Sequence, residues 1–166
     1  MDEGINMNLE LLKEPFPESD IEWRPQRSGL DKNGNPYAMV LAYVTNRAVM
    51  DRLDEVCGMD NWENKFEPGA NGGIKCIITI HTPKGSRKKE DGAENTNVEA
   101  IKGGMSGAMK RCAVQWGIGR YLYKLPVTFA KFHDYGANNI KINNKWYKYD
   151  NPVLSKEFLP KTKGEK

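Results

Sequence analysis

The sequence predicts an α+β fold, a mainly antiparallel sheet packed on helices, from three observations. Short β-branched and aromatic runs such as YAMVLAYV and GIKCIITIHT are set off by dense turn signals. Two other segments, TNRAVMDRLDEVCG and the stretch from Val98 to Trp116, carry apolar residues at helical spacing. The resulting order is strand, helix, hairpin, long helix, late hairpin, without the strand–helix alternation of a parallel nucleotide-binding sheet.

Taken along the chain, Asn8–Glu14 reads as a short amphipathic turn or two of helix, stopped by Pro15 and Pro17. DIEWRPQRSG is extended or loop-like, and DKNGNP is a turn leading into the YAMVLAYV strand. In the next helix Thr45 or Asn46 serves as N-cap, Val49, Leu53 and Val56 share a face, and Gly58 occupies the C-cap. NWENKFE and GIKCIITIHT form a hairpin through PGANGG. PKGSRKKEDGAENTN reads equally as a turn with a short edge strand or as a loop. The long helix then runs to Trp116 and is broken by Gly117 and Gly119. Near the C-terminus NIKI-NN-KWYKY is a two-residue hairpin, with Asn143–Asn144 supplying the positive φ angles. The expected organisation is an acidic segment over 1–30, a core domain over 31–150 and a basic, flexible tail over 151–166.

Composition fits one soluble domain: 166 residues, 39% hydrophobic and 28% charged. No apolar run reaches the roughly 18 residues of a membrane span, so no membrane partner is expected, and the acidic N-terminus does not read as a signal peptide. Three cysteines without a CxxC pair suit a reduced cytosolic compartment.

Charge is uneven. Residues 1–31 carry three basic and eight acidic groups, residues 32–140 carry 15 and 11, and residues 141–166 carry seven and three. The 30 residues from Lys102 to Lys131 hold Lys102, Lys110, Arg111, Arg120, Lys124 and Lys131 and no carboxylate. Such a run points to a polyanionic partner, with a merely solvated face as the alternative. On the long helix Val98, Ile101, Met105, Ala108, Met109, Cys112 and Trp116 form a core stripe. Gly103, Gly104, Gly107 and Val114 lie opposite, flanked by Lys102, Lys110 and Arg111. Glycines in a helix cost about 1 kcal/mol each against Ala. Two gains could offset that: docking against another backbone, or a smooth surface for a sugar–phosphate chain.

Enzymatic signatures are missing. GGMSGAMK lacks the GK[ST] of a phosphate-binding loop, and GIGRYL ends a helix instead of opening one, so no ATP site or other cofactor is expected. There is no HExxH, no GxSxG, and no Cys/His spacing around His81 or His133 that suits zinc. Asp51, Asp54 and Glu55 lie on one helix, but Asp51 and Glu55 at i, i+4 read as solvated surface, so no catalytic or metal-ligating residue is assigned. A metal-dependent nuclease assembled from distant carboxylates is the rival reading from another class.

The segments DIEWRPQ, AYVTNRAVMDRLDEVCGMDNW and KGGMSGAMKRCAVQWGIGRYLY, in that order, resemble the bacteriophage single-strand annealing proteins of the Sak type, in the Rad-fifty-two superfamily of recombination mediators. The resemblance spans about Phe16 to Leu125. It implies a curved β-β-β-α annealing core, packed on the long helix, that assembles into homo-oligomeric rings or helical filaments. Single-stranded DNA would lie in a basic groove, its bases free to pair with a complementary strand, without ATP. By similarity Lys110 and Arg111 line that groove and Arg47 joins them. Val114 stands where eukaryotic members carry a further cation, so Arg120 is the substitute candidate. The DNA-binding set is therefore Arg47, Lys102, Lys110, Arg111 and Arg120. The cytosol of a bacterial host is the implied location, with a host single-strand-binding protein or recombinase as candidate partner. Recombinase loading through a eukaryotic-type C-terminal region is not expected. A module that protects single strands without annealing them is the closer alternative.

Overall fold

The computed structural model describes residues 6–94 and 100–162. Among these, the strands and helices run β1 (Ile21–Leu30), β2 (Pro36–Val44), α1 (Asn46–Cys57), β3 (Trp62–Pro68), β4 (Ile74–Thr82), β5 (Gly85–Ala93), α2 (Ala100–Gln115), β6 (Thr128–Phe129), β7 (Lys131–Phe132), β8 (Asn138–Ile142) and β9 (Lys145–Asp150). The class is α+β, with three three-stranded sheets, β1-β2-β6, β3-β4-β5 and β7-β9-β8, in which β2 with β6, β4 with β3 and β5, and β9 with β7 and β8 pair antiparallel. The chain divides into two compact units. One comprises the chain up to Phe16 together with Val44–Tyr121, the other Pro17–Tyr43 with Leu122 onward.

The first unit is a β-β-β-α arrangement with α1 ahead of it. Thr45 caps α1 by accepting from the Ala48 amide at 3.2 Å, and Gly58, at φ 89°, ends it. Between these local stops the helix buries Ala48, Val49, Leu53 and Cys57, with Val56 half-buried. β3 and β4 pair from Trp62↔Ile80 to Pro68↔Ile74 around the predicted glycine-rich connection. β4 alternates, burying Cys76, Ile78 and Ile80. Within the segment that reads equally as a turn with a short edge strand or as a loop, β5 pairs with β4 over nine positions, from Ile74↔Ala93 to Thr82↔Gly85. Its composition is poor for a strand, so pairing and packing override propensity here. Upstream, Leu9–Lys13 is a 3-10 turn that buries Leu12. The Arg52 guanidinium gathers the carbonyls of Leu11, Leu12, Glu14 and Pro15 and lies 3.9 Å over the Phe16 ring.

In the second unit, DIEWRPQRSG lies within a turn of 3-10 helix and the ten-residue strand β1, not a loop. DKNGNP turns the chain because the Asp31 carboxylate accepts from the amides of Asn33 and Asn35 at 2.8 and 2.9 Å. The late hairpin has the predicted turn, Asn143 and Asn144 standing at φ 48° and 65°, and β8 pairs with β9 from Ile142↔Lys145 to Asn138↔Tyr149. The short strands β6 and β7 have no sequence signal of their own. Of the expected tail, Leu154 is buried and its amide donates to Glu18 at 3.0 Å. Residues 163–166 lie outside the described residues.

Candidate nucleic-acid interface

α2 is held on the β3-β4-β5 sheet by the predicted stripe. Ala108, Met109, Cys112 and Trp116 are buried, Met105 half-buried, and Ala113 is buried with them. Val98 lies outside the described residues, as does the Ile101 side chain. The Trp116 indole donates to the Ile78 carbonyl at 3.2 Å, and the Cys112 thiol to the Lys89 carbonyl at 3.1 Å. The glycine face is not a smooth open surface. Gly104 is buried, and a Cβ on Gly107 would stand 3.2 Å from the Ala93 Cβ of β5. At Gly107 the missing side chain lets helix and strand approach, so docking, not ligand clearance, accounts for it.

The predicted cations divide by what they touch. Arg111 is exposed, its side chain 58% accessible, and its Nε lies 3.4 Å from an Asp91 carboxylate oxygen. Lys110, beside it, is half-buried. Lys102 belongs to the first turn of α2, and its side chain is outside the described residues. Arg120 donates from Nε to the Val114 carbonyl at 3.0 Å and from Nη2 to the Gln115 carbonyl at 2.8 Å. These bonds hold its guanidinium against the carbonyl end of α2. Arg47 is exposed in the first turn of α1, with no hydrogen bond or ion pair among the described residues. Its neighbour Asn46 donates to Ser106 Oγ at 3.0 Å, one turn before Lys110. That bond brings the start of α1 against α2.

Three contributors are not legible in the sequence. Asn46 has the chemistry of a cap, yet Thr45 caps and Asn46 ties the two helices. Lys89 donates to the Gln115 carbonyl at 3.0 Å and lies 5.0 Å over the Trp116 ring. Asp91 places a carboxylate beside a helix that has none of its own. Burial opposes its ionisation, but hydrogen bonds from the Gly92 amide and Gln115, with Arg111 nearby, outweigh that and leave it below the usual carboxylate range. None of these has a signal within its own segment.

A match to the Rad52/22 family of double-strand break repair proteins covers residues 5–140. The chain belongs to that family. Among curated relatives of this Rad52/22-family chain, the single-stranded DNA-binding protein DdrA of Deinococcus radiodurans is 39% identical over 124 residues, covering 74% of this chain and 58% of the relative. The protein of the same name in Deinococcus deserti is 36% identical over 124 residues, covering 74% and 60%. The chain thus spans about three-fifths of the length of these relatives. No solved structure is a significant match.

Among the described residues of this family member, no three His, Cys, Asp or Glu side chains gather where they could hold a metal ion. Asp54 instead accepts from the Trp62 indole at 2.7 Å. No described helix is long and apolar enough to cross a membrane. The cysteines are buried and unbridged. Burial pushes the Cys57 thiol up to about 11, and a hydrogen bond with Cys112, added to burial, keeps Cys76 protonated.

Proposed function

We propose that this chain binds single-stranded DNA through the cations on and around α2 and anneals complementary strands without ATP, in recombination and repair. The observation that carries the reading is the pair Lys110–Arg111, set on a helix whose Ala108, Met109, Cys112 and Trp116 are buried. The pair can therefore serve a partner without giving up core packing. Membership of a double-strand break repair family, and relatives named as single-stranded DNA-binding proteins, support it. Arg47 joins the pair across the Asn46–Ser106 hydrogen bond, and Lys102 in the first turn of α2 belongs to the set by sequence. Arg120 offers only what its two bonds to α2 leave available. Bonds to phosphates position a strand without reading it and leave the pairing edges of the bases free. The finer parts of the proposal are kinship with the Sak-type annealers, a ring or filament of copies sharing one groove, an annealing core within 31–150, and work in the bacterial cytosol with a host recombinase or single-strand-binding protein.

The test is fluorescence anisotropy of a labelled single-stranded oligonucleotide over a salt series, with annealing of complementary strands followed in the absence of ATP. Lys110→Ala combined with Arg111→Ala leaves the circular dichroism unchanged and weakens binding. The log–log salt slope falls by roughly 0.7 for each phosphate no longer neutralised. Wild-type binding with an unchanged slope in a folded double variant would falsify the groove. The name of the relatives favours a second reading, a module that binds single strands without annealing them; tight binding with no acceleration of pairing selects it. Shortening of the strand with divalent metal selects a nuclease. Light scattering with and without DNA tests assembly.

A further inference from the structure

The second unit carries a cationic surface that the α2 reading does not use. In the β7-β9-β8 sheet, Phe132, Tyr147 and Tyr149 pack together on one side, with ring centroids 6.2 and 5.7 Å from Phe132. Ile140 is half-buried and Ile142 buried at the same alternation. The other side therefore carries Lys131 and His133, Asn139 and Lys141, and Trp146, Lys148 and Asp150. On that side Trp146 is 66% exposed. Lys141 pairs directly across from it, which sets the two Cβ atoms about 5 Å apart. Lys148 is two residues along on the same face, about 7 Å away. The carboxylate of this face is occupied: Asp150 accepts from His133 Nε2 at 2.5 Å and from the Ala137 amide at 2.9 Å. Asp134 lies beyond β7 in the following loop.

We infer that this face is a base-stacking platform for single-stranded DNA, in which the exposed Trp146 indole takes the face of a base while Lys141 and Lys148 hold the flanking phosphates. The inference rests on the single-stranded DNA reading above and adds a site to it. An indole on a solvated strand gains nothing from burial, whereas every base offers a flat apolar face to it. Cations beside the ring match the phosphates that must accompany any stacked base, and they disfavour a basic or purely apolar partner.

The probe is a fluorescein-labelled oligo-dT, paired with a strand of the same length that is abasic over its central positions. Trp146→Ala and Trp146→Leu weaken oligo-dT binding at least about fivefold, Trp146→Phe stays within about twofold, and none changes binding of the abasic strand. Lys141→Ala with Lys148→Ala weakens both strands and lowers the salt slope by roughly 1.4. The platform is overturned if Trp146→Ala binds oligo-dT like wild type, or if Trp146→Leu binds like Trp146→Phe. Either result leaves the α2 reading standing, because wild type still binds. Equal losses on the two strands overturn stacking as well. Failure of wild type to bind either strand overturns both readings together.

Discussion

The β3-β4-β5 and β7-β9-β8 sheets are each three-stranded and antiparallel, and each turns one face to solvent, yet their outward charges are arranged differently. On the first, carboxylates answer two of the lysines: Lys65 and Lys75 lie 3.1 and 3.3 Å from Glu67, and Lys75 also 3.6 Å from Glu90. Such exposed pairs contribute little stability; their effect is to leave little net field for a polyanion. On the second, Lys141 and Lys148 flank an exposed indole while the facing carboxylate is engaged by His133 and a backbone amide. Charge pairing, more than the number of lysines, thus separates the two faces.

Stability separates buried from exposed positions most strongly. Ile78→Ala, at a fully buried site of β4, should destabilise by about 2–5 kcal/mol, whereas Trp146→Ala should stay within about 0.5 kcal/mol. Thermal or urea unfolding measures both. A loss above about 1 kcal/mol at Trp146 would mean the indole is packed, and the contrast between the faces would collapse. Next in size is Gly107→Val, which forces side-chain atoms into the approach to Ala93. It should cost about 1–3 kcal/mol by overpacking, seen as a lowered urea midpoint. An unchanged midpoint would return the glycine face to solvent.

A direct attack on the contrast is to remove the pairing. Glu67→Gln with Glu90→Gln releases Lys65 and Lys75. DNA binding at low salt should tighten and the salt slope should steepen by about 0.7 for each lysine that then reaches a phosphate. Anisotropy identical to wild type would show that those carboxylates do not keep the face silent. The smallest expected effect is on acid stability. The Ala137 amide and then His133 hold the Asp150 carboxyl below its usual range. A lowered carboxylate pKa adds stability that is complete above the unfolded value, near 4, and lost as pH falls through the folded one. Urea midpoints between about pH 5 and pH 3 should therefore drop less in Asp150→Asn than in wild type. An identical drop would detach Asp150 from the pairing described.

The features legible in the amino-acid sequence lie within a few residues of their cause. Thr45 and Gly58 bound α1, Asn143–Asn144 sets the late hairpin, and 3.6-residue spacing marks Ala108, Met109, Cys112 and Trp116 as the buried side of α2. The Lys110–Arg111 pair follows from that stripe, since core positions on a helix leave the remaining positions to solvent or a partner. Folding in three dimensions is what makes GSRKKEDGA a strand, because nine ladder positions on β4 outweigh its weak propensity. Folding also sets Asp91 beside Arg111 and turns Arg120 back to close the end of α2. A hydrogen bond or ion pair depends on atoms that meet in space, and the partner of Arg111 lies twenty residues away on another element. The same holds for Trp146: alternation assigns it to one face of β9, but only the Phe132–Tyr149 packing shows that its own face is the one left to solvent.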